Sequence, residues 1–390
     1  MIKSKAQIMS IALQAIYWTT FCSVFSFAAV FLKKLGSSST NIGLIVAMSS
    51  LVAAFSQALV GTWIDRNQIK RLKKTSVGLT SAAIVTTIVL ILPVAWKTPF
   101  FIFSLILLMT LQPLVSTMII SMQSVDRRVS FGVSRAFGSL AFAGASSVIG
   151  TLVAQKTAEI VPWVSLLLYI LLLGTIIVFP NQNETVEKGS NHDEVASNGK
   201  KLSTVKQYPQ FMIVIAGLIF VFIFHNISNV FLITIVQSKG GTALEFGYAL
   251  TLMAMIEIPV MIASGVLMRR FGTKNLLRFA MVFYMFRSFA LFYAKDMAGV
   301  YVAQLLQAFS FAIYIPVSVA FVNETMKSYD RVKGQTLLVS AATLGGVAGT
   351  LGGGIVIDNF GVPEMLFIGF ICTVIGGTLV IFGLKSKPTS

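Results

Sequence analysis

The sequence predicts an all-α integral membrane protein, with twelve transmembrane helices arranged as two six-helix pseudo-repeats and both termini in the cytoplasm. Three observations lead to that fold class. Of 390 residues, 56% are hydrophobic and only 11% charged. Soluble domains carry about 25% charged residues, and this chain has too little polar surface to coat a water-facing core. Twelve apolar runs recur along it, each close to the ~20 residues that cross a ~30 Å hydrocarbon layer as a helix. The chain also aligns with itself at an offset of 204 residues.

The runs fall at 11–32, 41–64, 75–95, 98–120, 133–154, 160–180, 210–236, 246–268, 275–294, 298–322, 334–357 and 363–384. They are numbered here as spans 1 to 12. In lipid the backbone must satisfy its own hydrogen bonds, which selects helices; a barrel would show ~10-residue alternating strands. Span 1 follows Lys3 and Lys5 but is too long for a signal peptide and lacks a small-x-small cleavage site, so it is expected to stay. Of the 30 Lys and Arg residues, 22 lie in the termini and even-to-odd loops, and six in the other loops. That asymmetry places both termini in the cytoplasm and requires an even number of spans. It also explains the net charge of +16 without nucleic-acid binding, because the charges sit between apolar runs and form no basic domain. Cys22 and Cys372, the only cysteines, lie in apolar runs and offer neither a disulfide framework nor a metal site.

Residues 181–208 are polar and aperiodic and read as a cytoplasmic linker between bundles 1–180 and 209–390. His192, Asp193 and Glu194 within it are solvated linker residues rather than metal ligands. At the 204-residue offset Gly36 meets Gly240, Gly43 meets Gly247, Gly61 meets Gly265, Arg66 meets Arg270 and Lys70 meets Lys274. Asp126–Arg127 meets Asp330–Arg331. A parallel repeat of two six-helix halves is an architecture that secondary transporters use for alternating access.

The loop after span 2 reads GTWIDRNQIKR, with Gly61, Asp65, Arg66, Lys70 and Arg71 in a Gly-x-x-x-Asp-Arg-x-x-x-Lys/Arg pattern. Its counterpart GVLMRRFGTK keeps Gly265, Arg270, Gly272 and Lys274 but has Arg269 at the Asp position. In these motifs the chain resembles the major facilitator superfamily over essentially its whole length. The resemblance implies a cytoplasmic gate, in which Gly61 lets helices approach and Asp65 pairs with a basic group or a helix N-terminus in one access state. Topological anchoring is the alternative, and it suffices for Lys73 and Lys74.

Three charged residues lie well inside spans: Arg135, Glu257 and Arg287. Intramembrane charges are expensive, about 2.5–3.5 kcal/mol each on insertion scales, so they should face one another or a wet cavity. An interhelical ion pair is the structural reading. The functional one makes Glu257, two residues before the helix-loosening Pro259, a proton carrier with Arg287 or Arg135 as the opposing charge. Arg135 offers a donor fork to hydroxyls or a carboxylate, and Phe142, seven residues on, a ring for an apolar sugar face.

The segments SRAFGSLAF and IEIPVMIASGVLMRRFGTK resemble lactose permease and the sugar efflux transporters, with Arg135, Phe142, Glu257 and Arg287 at matching positions. Departures accompany the likeness. Where the permease's helix 10 carries Lys, His and Glu, this chain has Gln304, Gln307 and Ser310, and Thr117 stands near the helix 4 carboxylate. His225 and Asn229, one turn apart beside Asn226, are cavity candidates or an interhelical hydrogen-bonding group. Tyr17 lies in an aromatic stripe of span 1 with Gln14, Trp18 and Phe21. Gly345, Gly349 and Gly353 recur every fourth residue in span 11, a close-packing stripe.

The expected function is a proton-coupled secondary carrier of a small polar solute, a sugar or oligosaccharide, in the plasma membrane. It would act as a monomer in the lipid bilayer, with no cofactor beyond the proton gradient and no nucleic-acid partner. Proton-driven export of drugs or lipophiles is the alternative, favoured by 31 Phe and 16 Met. A non-transporting receptor on the same fold is a third reading. No nucleophile–base or metal-ligand constellation supports an enzyme.

Overall fold

The apolar runs become helices because each closes its own backbone hydrogen bonds over a membrane's width. The computed structural model describes residues 5–67, 70–126, 128–180, 207–327 and 330–384, without the side chains of residues 62, 65–67, 70, 124 and 332. The expected linker, 181–208 with His192, Asp193 and Glu194, therefore lies almost wholly outside the described residues. So do Arg127 and the side chains of Asp65, Arg66 and Lys70.

Twelve helical segments are long and apolar enough to cross a membrane, and no strand occurs among the described residues. Span 1 is the helix Lys5–Phe21, a π-helical turn Cys22–Ser26 and a further piece Ala28–Lys34. Spans 2 to 6 are Ser39–Asn67, Lys70–Ile91, Lys97–Val125, Phe131–Lys156 and Ile160–Val178. Span 7 is Pro209–Val230 followed by Leu232–Ser238, and spans 8 and 9 are Ala243–Phe271 and Thr273–Tyr293. Span 10 is split into Met297–Leu305, a 3-10 turn Leu306–Ala308 and Phe311–Thr325. Spans 11 and 12 are Arg331–Asn359 and Val362–Gly383.

The 204-residue offset is visible in the backbone. Span 1 breaks at Phe27 (φ −93°, ψ 9°) and span 7 at Phe231 (φ −98°, ψ 15°). The following turns need a positive φ at Gly36 (+81°) and Gly240 (+80°). Spans 1 to 6 pack among themselves, as do 7 to 12, and the two sets meet where span 2 crosses span 11 and span 5 crosses span 8. These crossings are equivalent. Gly43 lies against the backbone of Thr350 and Gly354 against Ser39, while Gly247 lies against Ser146 and Gly150 against Ala243. Adding 204 to the first half's member of each pair gives its counterpart. A Cβ at any of these glycines would collide with backbone, so the glycines set the approach distance.

All these contacts lie towards one end of the bundle, at the start of spans 2 and 8 and the end of spans 5 and 11. The other end carries Arg71, Lys73, Lys74, Arg269, Arg270, Lys274, Arg331 and Lys333 and is called the basic face below. The closed, non-basic face is tied by hydrogen bonds between the halves. Lys33 Nζ donates to Gln237 Oε1 at 2.9 Å, across residues that are themselves 204 apart. Asp358, near the end of span 11, accepts from the backbone N–H groups of Ser39 (3.0 Å) and Thr40 (2.7 Å) at the start of span 2. Thr251 of span 8 meets Ser146 and Ser147 of span 5 at 2.9 and 2.6 Å.

Candidate functional site

A cavity of about 480 Å³ lies between the halves, walled by Phe25 of span 1, Val46 and Ser50 of span 2, and residues of spans 7, 10 and 11. Its polar lining is Ser50 on span 2, His225 and Asn226 on span 7, Tyr314 and Ser318 on span 10, and Gln335, Thr343 and Thr350 on span 11. The span 11 lining runs from Gln335, one turn from the basic end, to Thr350, where the glycine crossing seals the far side. The cavity thus opens towards the basic face. No charged side chain lines it.

None of the three intramembrane charges, on spans 5, 8 and 9, is part of that lining; they interact with one another instead. Arg135 is half-buried; its guanidinium carbon stands 3.9 Å over the Trp18 ring and its Nη1 donates to Ser139 Oγ at 2.6 Å. Trp18 is oriented in turn by its indole N–H, which donates to Gln14 Oε1 at 2.8 Å. This cation–π contact satisfies part of the charge in place of a carboxylate. Glu257 sits mid-way along span 8, whose helix runs unbroken through Pro259. Its carboxylate accepts from Gln307 Nε2 at 2.5 Å. It interacts electrostatically with Arg135 across the interface and with Arg287 of its own half, yet makes no ion pair with either.

Arg287 is wholly buried on span 9. Its Nη2 donates weakly to Ser228 Oγ (3.4 Å) and Gln304 Oε1 (3.5 Å), and its guanidinium carbon lies 5.8 Å from the Phe224 ring centre. Span 10 serves both charges: Gln304, near the end of its first helical piece, reaches Arg287, and Gln307, in the 3-10 turn, reaches Glu257. These two glutamines, expected from sequence to bind solute, are not part of the cavity lining; they link the carboxylate to the arginine through one helix.

The remaining candidates part company. His225 lines the cavity, stacked on Phe311 with ring centres 4.2 Å apart, and its Nε2 meets Asn229 Nδ2 at 3.0 Å. Asn229 also donates to the His225 carbonyl at 2.8 Å and is not part of the lining. Phe142 is buried, and it too is not part of the lining. Tyr17 is 1% exposed and its hydroxyl donates to the Leu108 carbonyl at 3.1 Å, which places it in the core of the first six spans. Sequence reasoning missed Ser228, Tyr284 and the pairing of Trp18 with Arg135. The signals were the one-turn spacings of His225 to Ser228 and of Tyr284 to Arg287.

At the basic face, among the described residues, no neighbour comes within 4 Å of a Cβ built on Gly61, and the nearest atom to one on Gly265 is Arg269 Nη1 at 4.0 Å. The close helix approach expected at Gly61 is therefore not made in this conformation. Arg71 stacks over Trp63 at 5.2 Å and Arg270 over Phe271 at 5.5 Å, while Lys274 is exposed at the start of span 9.

A model of the MFS_1 like family matches residues 10–368. No curated protein sequence is significantly similar to the chain. Among solved structures, the nucleoside transporter NupG superposes with a TM-score of 0.81 at 14% identity, over 98% of this chain and 100% of that one. A D-xylose-proton symporter gives 0.67 at 13% identity, over 97% and 95%. A bacterial homologue of the human lysosomal transporter Spinster, inward-facing and unoccupied, gives 0.72 at 12% identity, over 99% and 100%. These relatives are transporters, none an enzyme, and at such identities the likeness speaks for the fold.

Proposed function

The chain belongs to the MFS_1 like family, whose fold is that of secondary transporters, and on that premise we propose that it is a proton-coupled carrier of a small polar solute, a sugar or oligosaccharide, in the cell membrane. One observation carries the proposal: a mid-span carboxylate, Glu257, within electrostatic reach of one arginine from each half and hydrogen-bonded to Gln307. A proton leaving Glu257 creates a charge that Arg135 and Arg287 compensate, and compensation by Arg135 acts across the interface that must open and close. Proton occupancy is thereby coupled to the relative position of the halves. The glutamine, asparagine and hydroxyl groups of the uncharged cavity suit a neutral polyhydroxylated solute, with Phe25, Phe222 and Phe311 as apolar faces.

Residues 1–180 would rock against 209–390 about the two glycine crossings. The positive-inside rule makes the basic face cytoplasmic, so the conformation described is the inward-open one. The likeness to a D-xylose-proton symporter supports a sugar and the likeness to NupG a nucleoside; the test includes both. Purified protein in liposomes, under an imposed proton gradient, should accumulate a labelled solute found by thermal-shift screening of sugars and nucleosides. Uptake competed by sugars but not by lipophilic cations supports the proposal. The aromatic cavity wall favours one other reading, proton-driven lipophile export, and competition by lipophilic cations alone would establish it. A solute gradient that moves nothing would refute both.

A further inference from the structure

The charges inside the spans do not balance. Arg135 and Arg287 are opposed by Glu257 alone, so the buried site carries one net positive charge with the carboxylate ionised and two with it protonated. Arg135 is partly relieved by the Trp18 ring and by its partial exposure. Arg287 has less relief, only the more distant Phe224 ring at 5.8 Å. It is 0% exposed, makes no ion pair among the described residues, and its two hydrogen bonds are long. A guanidinium buried without an anion is strongly destabilising in a low-dielectric interior.

The donors around it are equally unsatisfied. Arg287 Nε and Nη1, Gln304 Nε2 and the Tyr284 hydroxyl are all buried and have no partner. They belong to one cluster, since Tyr284 lies one turn before Arg287 on span 9 and interacts with it electrostatically, while Gln304 Oε1 accepts from Arg287. His225 adds a fifth donor. Its Nε2 faces the donating amide of Asn229, which assigns the ring proton to Nδ1, and Nδ1 also has no acceptor. The His225 and Tyr284 rings meet edge-on with centres 6.2 Å apart. Buried donors in native proteins are almost always paired; here five from spans 7, 9 and 10 share one fixed positive charge and lack acceptors.

We propose that Arg287, Tyr284 and Gln304, with His225 at the margin, form a buried receptor for one small monovalent anion of chloride size. The anion neutralises Arg287 while Glu257 is held by Gln307. The pseudo-equivalent position in the first half, 204 residues before Arg287, is Ala83. The inference goes beyond the transport reading and does not depend on what solute is carried.

The test is thermal unfolding of the full chain in detergent at constant ionic strength, titrating chloride or formate against the much bulkier gluconate. Expected is a saturable rise in unfolding temperature with chloride or with formate, a response to formate alone identifying a carboxylate as the occupant. Tyr284→Phe should keep the fold while weakening the response about tenfold in concentration, a typical effect of a lost hydrogen bond to a charge. Bromide in place of chloride should give an anomalous peak beside Arg287 in crystals. Equal unfolding in all three anions, a Tyr284→Phe response like wild type, or a bromide peak elsewhere would overturn the proposal and leave ordered water as the partner of these donors. An anion response from protein that transports nothing would leave this site standing and remove the carrier reading alone.

Discussion

Asp358→Ala should shift the balance between the two access states, and the shift can be worked from the contacts it removes. The Asp358 carboxylate on span 11 caps the first two N–H groups of span 2, which belongs to the other half. These bonds exist only while the non-basic face is closed; when it opens, both amides turn to water. Asp358 is exposed, so the scale appropriate to a solvated helix cap applies, about 1 kcal/mol, with about 0.3 kcal/mol for a charge near a helix N-terminus. The loss of about 1.3 kcal/mol falls on the closed state alone, which lowers its population ratio roughly tenfold. Asparagine caps as well as aspartate, so Asp358→Asn should lose only the charge contribution and shift the ratio about twofold. The pseudo-equivalent crossing provides a control. Span 8 is capped within its own half by the Thr242–Glu245 capping box, so Thr242→Ala should weaken that helix end without favouring either state. Spin labels at Lys34 and Phe360, in a background lacking Cys22 and Cys372, would report the separation of the halves at this face. A distance distribution unchanged in Asp358→Ala would refute the idea that this cap holds the face shut.

Three further outcomes are expected. Glu257→Gln should abolish proton-driven accumulation in liposomes while sparing solute exchange; loss of both activities, or of neither, argues against the carrier role. Arg135→Lys should weaken proton-driven accumulation in liposomes, as an ammonium does not reproduce the stack on Trp18 or the bond to Ser139 that hold the charge opposite Glu257; accumulation like wild type would remove Arg135 from the coupling. Gly247→Val should prevent closure of the non-basic face, because even a Cβ at that position would come within 2.5 Å of the Ser146 carbonyl oxygen. The same spin-label pair should then show the halves apart, and a wild-type distance would mean that span 5 yields.

The sequence alone determined the class of fold and its internal symmetry. Hydropathy reports whether a segment prefers lipid, which depends on composition and needs no partner, so the twelve spans were legible to within a few residues. The repeat was legible because glycines at Gly36 and Gly240, or Gly43 and Gly247, occupy positions where backbone geometry or close approach tolerates little else. Glu257, Arg135 and Arg287 could be singled out because a charge in an apolar run is conspicuous by itself. What each of them touches could not be read. Gln307 reaches Glu257 across 50 residues of chain, Trp18 lies under Arg135 from another helix, and Tyr17 turns from the cavity to the Leu108 carbonyl. Helical periodicity orients a side chain only about its own axis; its partner depends on the rotation and crossing of separate helices. Those are set by glycine contacts, by the 3-10 turn of span 10 and by the break at Phe27, and they arise only once the spans have packed together.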